Sequence, residues 1–223
     1  MRGVYKTMIN MDYSKSVTID TLGQEWIASP MSGVWRKPLA REDAERGHAT
    51  SIVKYDAGAS FSAHGHPKGE EILVLQGVFS DETGDYPAGT YFRNPEGFSH
   101  APFSKEGCTI LVKLHQFQAE DSAHICIDTR KALVQQPGVC KHLQLHQFAN
   151  EQVEMFRCIA DAELDFSYAV DGLEIYVISG SLSDEGGVYY AGYWTRMYSG
   201  KGKSYKVSAG SLIWVKSNHL SLS

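Results

Sequence analysis

Three histidines and one glutamate in the first half of the chain have the types and spacing of a metal site. His64 and His66 are two residues apart, and side chains two apart on a β-strand point to the same face. Glu70 follows after a Pro-Lys-Gly break, and His100 lies beyond the next hairpin, where a returning strand can bring it back. Residues that alternate with Glu70 are apolar, and a bare carboxylate among them is costly. A metal shared with the three imidazoles would supply its partner.

The chain contains one unit twice, and only the first copy carries this set. The stretch EILVLQGVFSDETGDYPAGTYFR (71–93) returns as EIYVISGSLSDEGGVYYAGYWTR (174–196), an offset of 103, with 12 of 23 aligned pairs identical. The four positions of the metal set hold other residues in the second copy: Ser167, Ala169, Leu173 and Lys203. Residues kept in both copies are expected to fold the unit. The four that are lost together are expected to bind one metal, in the first copy only.

Short runs of β-branched and aromatic residues, separated by Gly, Pro, Asp and Asn, predict an all-β fold. The runs read as strands in the first copy are ATSIVKY (49–55), EILVLQG (71–77), TYFRNP (90–95) and CTILVKLHQF (108–117). The second copy repeats the pattern, which is typical of a sandwich or a small barrel. Helical signal is confined to LAREDAERG (39–47), which could form one or two turns.

The repeat also predicts the domain organisation. We expect an N-terminal arm over residues 1–20, a metal-binding first domain over 21–120, and a second domain without metal ligands over 121–223. The polar segment QAEDSAH (118–124) is the expected boundary. Two units of this size can each bury a core.

Composition excludes several classes of protein. The net charge of −5 and the pI near 6.0 argue against nucleic-acid binding. No apolar run approaches the roughly 18 residues of a membrane span, and the N-terminus lacks the apolar core of a signal peptide, so we expect a cytoplasmic protein with no membrane partner. The four cysteines form no CxxC pair and are expected to be free thiols: Cys108, Cys126, Cys140 and Cys158.

These motifs resemble those of a known family. HGHPKGEE (64–71), the Tyr-Pro-Ala-Gly turn (86–89) and NPEGFSH (94–100) are similar to the two motifs of cupins, small double-stranded β-helix or jelly-roll barrels. The closer resemblance is to the cupin of ChrR-like proteins, zinc-dependent anti-sigma factors of the singlet-oxygen response. It implies a tandem bicupin with one divalent metal, zinc first and iron, manganese or nickel as alternatives. The implied ligands fall on four residues: His64, His66, Glu70 and His100.

The chain departs from that family in one respect. ChrR proteins carry a separate helical sigma-binding module with its own His and Cys zinc site, including a CxxC. This sequence has no CxxC, and about 20 residues precede the first predicted barrel. The resemblance therefore covers the sensory half of such proteins, and we expect the sigma-binding module to be absent.

Other candidate residues have simpler interpretations. Glu71 and Arg93 recur in the second copy as Glu174 and Arg196, which favours a structural role over a catalytic one. A second metal cluster drawn from Cys140, His142 and His146 lacks a fourth ligand and a known spacing. Three aromatic residues near the ligands are expected to pack the barrel core or to line its pocket: Phe61, Phe98 and Phe103.

Three functions remain open. The first is a regulatory cupin that senses an oxidant or small ligand in the first barrel. The second is a metal-dependent dioxygenase acting on a small diketone or aromatic ketone, since cupin barrels host many chemistries. The third is a metal-stabilised interaction domain. No general base is tied to the site by spacing, so the catalytic residues are not predicted. A homodimer is among the assemblies that the sequence allows.

Overall fold

The computed structural model describes residues 8–43 and 47–220, which form β-strands and one short helix. The helix α1 spans Thr129–Val134. The strands, in chain order, are β1 (Val17–Asp20), β2 (Ile27–Ala28), β3 (Val34–Arg41), β4 (Ala49–Tyr55), β5 (His64–Gly65), β6 (Glu70–Asp81), β7 (Gly84–Pro87), β8 (Thr90–Asn94), β9 (Ser99–His100), β10 (Cys108–Leu114), β11 (Ile125–Asp128), β12 (Cys140–Phe148), β13 (Glu151–Cys158), β14 (Ala162–Asp165), β15 (Leu173–Ser179), β16 (Ser181–Asp184), β17 (Gly187–Tyr190), β18 (Tyr193–Met197), β19 (Ser204–Val207) and β20 (Ser211–Ser217). The predicted all-β fold class is confirmed.

The predicted strands of the first copy match the structure closely. The run 49–55 coincides with β4, and the other three predicted runs overlap β6, β8 and β10. The predicted helical turns over 39–47 are wrong where the structure describes them, because Leu39–Arg41 ends strand β3; residues 44–46 lie outside the described part. Helix α1 was not predicted, since its six residues are too few to show a helical period.

The first unit consists of the described residues up to Met11 together with Gln24–Thr129. Its main sheet has the strand order β11-β8-β6-β10-β4-β3-β2, β7 pairs with β6, and β5 and β9 form a separate two-stranded ribbon. Apolar side chains on one face of each long strand meet in a single core that contains Val53, Ile72, Val74, Phe79 and Ile110. The alternation predicted from the sequence therefore places one face of these strands inside the barrel.

The second unit consists of Asp12–Gly23 together with the described residues from Arg130 onward. It has a six-stranded sheet of order β1-β18-β15-β20-β13-β12 and a four-stranded sheet of order β14-β19-β16-β17. Its core contains the repeat partners of four residues named above: Phe156, Ile175, Val177 and Ile213. The two copies therefore build their cores from matching positions.

The unit boundaries differ from the predicted divisions at residues 20 and 120. Strand β1, which lies in the predicted arm, pairs with β18 of the second unit and places Val17 opposite Arg196. Strand β11, which lies in the predicted second domain, pairs with β8 of the first unit and places Ile125 opposite Arg93. The predicted arm thus supplies an edge strand to the second unit, and the start of the predicted second domain supplies an edge strand to the first. A strand pattern identifies a strand but not its partner, which explains the difference.

Candidate metal centre in the first barrel

The three histidines of the sequence motif come together at one end of the first barrel. Strands β5 and β9 pair so that His64 lies opposite His100, although 36 residues separate them. His66 follows on the chain, and its Nε2 lies 3.1 Å from Nε2 of His100. One ring nitrogen from each histidine lies within 4.8 Å of the others. The pairing of two very short strands therefore assembles the cluster.

Glu70 closes the cluster because the chain turns sharply after His66. The backbone N–H of Gly69 donates to the carbonyl of His66 at 3.0 Å, and Lys68 and Gly69 both adopt positive φ. A Cβ at position 69 would lie 2.5 Å from the Phe117 ring, so only glycine fits there. The turn starts β6 at Glu70, whose carboxylate points into the barrel and is 5 % exposed.

The Glu70 carboxylate contacts two of the three imidazoles. Its Oε1 lies 3.5 Å from Nε2 of His66, and its Oε2 lies 3.3 Å from Nε2 of His100. Asn94, at the end of β8, donates from Nδ2 to Oε2 at 3.3 Å. The structure therefore brings together all four residues singled out by the sequence and adds an amide that holds the carboxylate.

The distances between these donor atoms suit a transition metal. Two ligand atoms that each lie about 2.1 Å from one ion are about 3.0 Å apart at a right angle and about 3.4 Å apart at a tetrahedral angle. The separations of 3.1, 3.3 and 3.5 Å fall close to this range. Imidazole nitrogens with one carboxylate suit zinc, iron, manganese, nickel or copper better than magnesium or calcium.

Hydrogen bonds on the outer side of two rings orient them for this role. Nδ1 of His64 lies 2.8 Å from the carbonyl oxygen of Ser62, and Nδ1 of His100 lies 3.1 Å from Oδ2 of Asp81. Both partners accept, so each Nδ1 carries a proton and Nε2 is the ring nitrogen left to hold a metal. Asp81 in turn accepts hydrogen bonds from the backbone and hydroxyl of Thr83. The orientation of the His100 ring is thus built into the β6–β7 hairpin.

Burial and the neighbouring charges set the protonation of the cluster. Burial lowers the pKa of His66, and this effect exceeds the opposing influence of Glu70. Burial raises the pKa of Glu70, but the hydrogen bond from His100 and the charge on His66 outweigh it and the pKa falls below its usual value. Burial lowers the pKa of His100, but its hydrogen bonds to Glu70 and Asp81 outweigh it and the pKa rises. Glu70 is therefore held in its ionised form.

The matching positions of the second barrel carry no imidazole and no carboxylate. Ala169 and Leu173, which replace His66 and Glu70, are fully buried. Lys203, which replaces His100, places Nζ 3.2 Å from Oδ2 of Asp184. No metal-competent cluster of His, Cys, Asp or Glu is found at these positions among the described residues.

Two supporting residues were missed by the sequence reasoning. Asn94 is replaced by Met197 in the second copy, so the comparison that found the ligands could also have found it. Asp81 gave no such signal because it persists as Asp184. The structure explains its persistence, since the aspartate pairs with an imidazole in one copy and with an ammonium group in the other.

The other sequence candidates lie apart from the centre. Nη1 of Arg93 donates to Glu71 at 3.0 Å, and its guanidinium also pairs with Asp121, all within a buried network. Among the three aromatic candidates, Phe61 places its ring centroid 5.6 Å from that of His64, and Phe98 places its ring centroid 5.6 Å from that of His100. Phe103 instead pairs through its backbone with Ser80.

The expectation of four free thiols was wrong for two of them. Cys140 and Cys158 lie opposite each other on β12 and β13 and form a disulfide, which also rules out Cys140 as a ligand in the second cluster considered above. Cys108 is free and buried, and Cys126 is free and exposed. The pairing joins neighbouring strands, so no CxxC or other sequence spacing announces it.

Comparisons with known proteins agree with this architecture. A family model described as a ChrR Cupin-like domain matches residues 14–118 and again 124–221. A candidate dioxygenase from Nostoc punctiforme superposes with a TM-score of 0.69 at 15% identity, covering 94% of this chain and 85% of that one. The pirin YhhW of Escherichia coli, in complex with nickel(II), superposes with a TM-score of 0.67 at 10% identity, covering 93% and 100%. The Escherichia coli protein YlbA gives 0.66 at 14% identity, covering 99% and 97%.

A search of curated proteins found no significant match. Within the described residues, no helix has the length and apolar character needed to cross a membrane.

Proposed function

Since the chain belongs to the ChrR cupin-like family in both of its halves, we propose that it is a metal-dependent sensory bicupin. In this proposal the first barrel binds one divalent transition metal, zinc first and iron, manganese or nickel as alternatives, through His64, His66, Glu70 and His100. The second barrel binds none at the matching place. The observation that carries the proposal is the convergence of two imidazoles and one ionised carboxylate at separations suited to one ion, with the third imidazole, that of His64, within 4.8 Å of the other two.

Access to the site favours a response to a small oxidant or ligand. His100 and Glu70 are buried, whereas His64 is only partly buried. An ion held by these residues would be reached from the His64 side and closed off on the side of β6. The bound metal would supply Lewis acidity or redox chemistry. The chain's own contribution is to fix the imidazoles through Ser62 and Asp81 and the carboxylate through Asn94.

A dioxygenase is the second candidate, and the aromatic surroundings of the ligands favour it. The rings of Phe61, Phe79 and Phe98 lie with centroids 5.6 to 6.2 Å from the imidazoles of His64 or His100. Aromatic side chains beside the proposed metal ligands suit the binding of a small diketone or aromatic ketone. A structural neighbour is also described as a candidate dioxygenase.

One experiment separates the two candidates. The protein is loaded with iron(II) or zinc and exposed to singlet oxygen or peroxide, while metal release and oxygen consumption are followed. Metal loss in proportion to oxidant, without turnover, is the result expected of a sensor. Sustained oxygen uptake with an added diketone or aromatic ketone would overturn the sensor in favour of the dioxygenase.

A further inference from the structure

The second barrel carries a cluster of three hydrogen-bonded side chains that the first barrel lacks. Glu154 lies on β13, His142 lies on the neighbouring β12, and Tyr168 lies in the loop before β15. The repeat offset places Ser51 and Gly65 at the positions of Glu154 and Tyr168. The second copy has thus lost the metal set and gained a carboxylate, an imidazole and a phenol.

His142 and Tyr168 each form a hydrogen bond with the carboxylate of Glu154. Nε2 of His142 lies 2.7 Å from Oε1 of Glu154, and the hydroxyl of Tyr168 donates to Oε2 at 2.5 Å. Glu154 is 4 % exposed, whereas the side chain of His142 is 47% exposed and Tyr168 is 40% exposed. The carboxylate is therefore buried beneath two side chains that a ligand can reach.

The carboxylate determines which nitrogen of His142 is available. A carboxylate can only accept, so the proton of the neutral ring lies on Nε2 and Nδ1 keeps its lone pair. Nδ1 makes no hydrogen bond within the part of the chain that the structure describes. The ring also stacks on Phe156, with centroids 4.7 Å apart and planes 13° from parallel. His142 therefore presents a fixed hydrogen-bond acceptor.

We propose that this cluster is a metal-free binding site for a small neutral phenol or enol. The ligand's hydroxyl donates to Nδ1 of His142, and its flat apolar body lies against the exposed part of the Tyr168 ring. An anion is disfavoured because the Glu154 carboxylate lies in direct contact with His142 and would repel a second negative charge. A metal is disfavoured because both carboxylate oxygens already accept hydrogen bonds and only one imidazole is present.

The test uses the full chain and two probes that differ in one donor. p-Cresol carries the hydroxyl, and 4-methylanisole has the same ring with the donor removed. Ring ¹⁵N resonances of the histidines are followed by NMR during titration with each probe. We expect p-cresol to shift the His142 resonance in a saturable way and to bind about tenfold more tightly than 4-methylanisole, the worth of one net hydrogen bond.

Variants separate this site from the rest of the molecule. H142Q removes the reporter ring, so p-cresol binding to it is followed by the broadening of the p-cresol proton resonances. It should weaken about tenfold, since the amide can still donate to Glu154 but no ring nitrogen is left to accept from the phenol. Y168F keeps the ring and the fold, and should retain the preference for p-cresol over 4-methylanisole. H124Q, which changes an exposed histidine of the first unit, and H100A, which removes a proposed metal ligand, should leave the His142 response unchanged.

Two results would overturn the proposal. One is an unshifted His142 resonance in saturating p-cresol. The other is equal affinity for the two probes in the unmodified chain. Neither result depends on whether the first barrel binds a metal. The proposed phenol site and the proposed metal centre are therefore tested independently.

Discussion

The two barrels share an aspartate in the matching hairpin and differ in the side chain that this aspartate contacts. In the first barrel Asp81 accepts from Nδ1 of His100, and in the second Asp184 accepts from Nζ of Lys203. A tyrosine of the same hairpin contacts the aspartate in both, Tyr86 at 3.4 Å and Tyr189 at 3.0 Å. The aspartate is therefore part of the shared scaffold, and its partner differs: the imidazole of a proposed metal ligand in the first barrel and the ammonium group of an ion pair in the second.

The largest expected difference between the barrels follows from replacing the side chain that the aspartate contacts. H100A should lower metal affinity on the order of 10³-fold, equivalent to ~4 kcal/mol of linked stability at high metal concentration. K203A removes only a partly exposed ion pair and should change the melting temperature little. Isothermal titration with zinc and thermal unfolding with and without metal measure both effects. Equal melting shifts for the two variants would show that position 100 has no special role.

The disulfide between Cys140 and Cys158 is a second difference, and it belongs to the second barrel. Replacing Cys140 and Cys158 by serine should destabilise the second barrel by about 3 kcal/mol, because the bond closes a loop of modest length. The paired control changes the two free cysteines to serine. Denaturant unfolding with and without reductant measures the effect. An unmodified chain whose unfolding midpoint is the same with and without reductant would contradict it.

The disulfide also bears on the predicted location. Disulfides persist mainly in oxidising compartments, so the cytoplasmic location expected from the sequence stays a prediction. Counting free thiols in protein taken directly from cells tests it: two per chain would place the folded protein in an oxidising environment, and four would agree with the cytoplasm.

The smallest effect concerns the aspartate itself. D81N keeps the shape of the side chain but weakens its hold on Nδ1 of His100, so metal affinity should fall about 10–100-fold. The matched variant D184N should leave metal affinity unchanged, because its partner is Lys203. Competition with a chromophoric chelator resolves such changes. A similar loss of affinity in both variants would mean that the aspartate acts through the fold and not through His100.

Much of the site could be predicted because duplication separates ligands from scaffold within one sequence. Strand β4 was predicted to the residue, since ATSIVKY is bounded by clear breaks on both sides. His64, His66, Glu70 and His100 were found because all four vanish together. Asn94 obeys the same rule but is an amide, and amides are common in loops without any role in a site.

What could not be predicted depends on pairing between distant strands. The alternation of Val17–Asp20 shows that the segment can form a strand, but nothing local shows that its partner is β18, more than 170 residues away. Cys140 and Cys158 likewise meet only because β12 and β13 are in register. Glu154 was not noticed for the same reason: a single buried carboxylate gains its meaning from His142 and Tyr168 on other elements.

Native mass spectrometry of the zinc- or iron-loaded chain shows whether the first copy of the repeat holds a metal and the second does not. We expect one tightly held metal per chain, and none in a variant whose His64, His66 and His100 are replaced by alanine. Two tightly held metals per chain, or one metal retained by the triple variant, would contradict it.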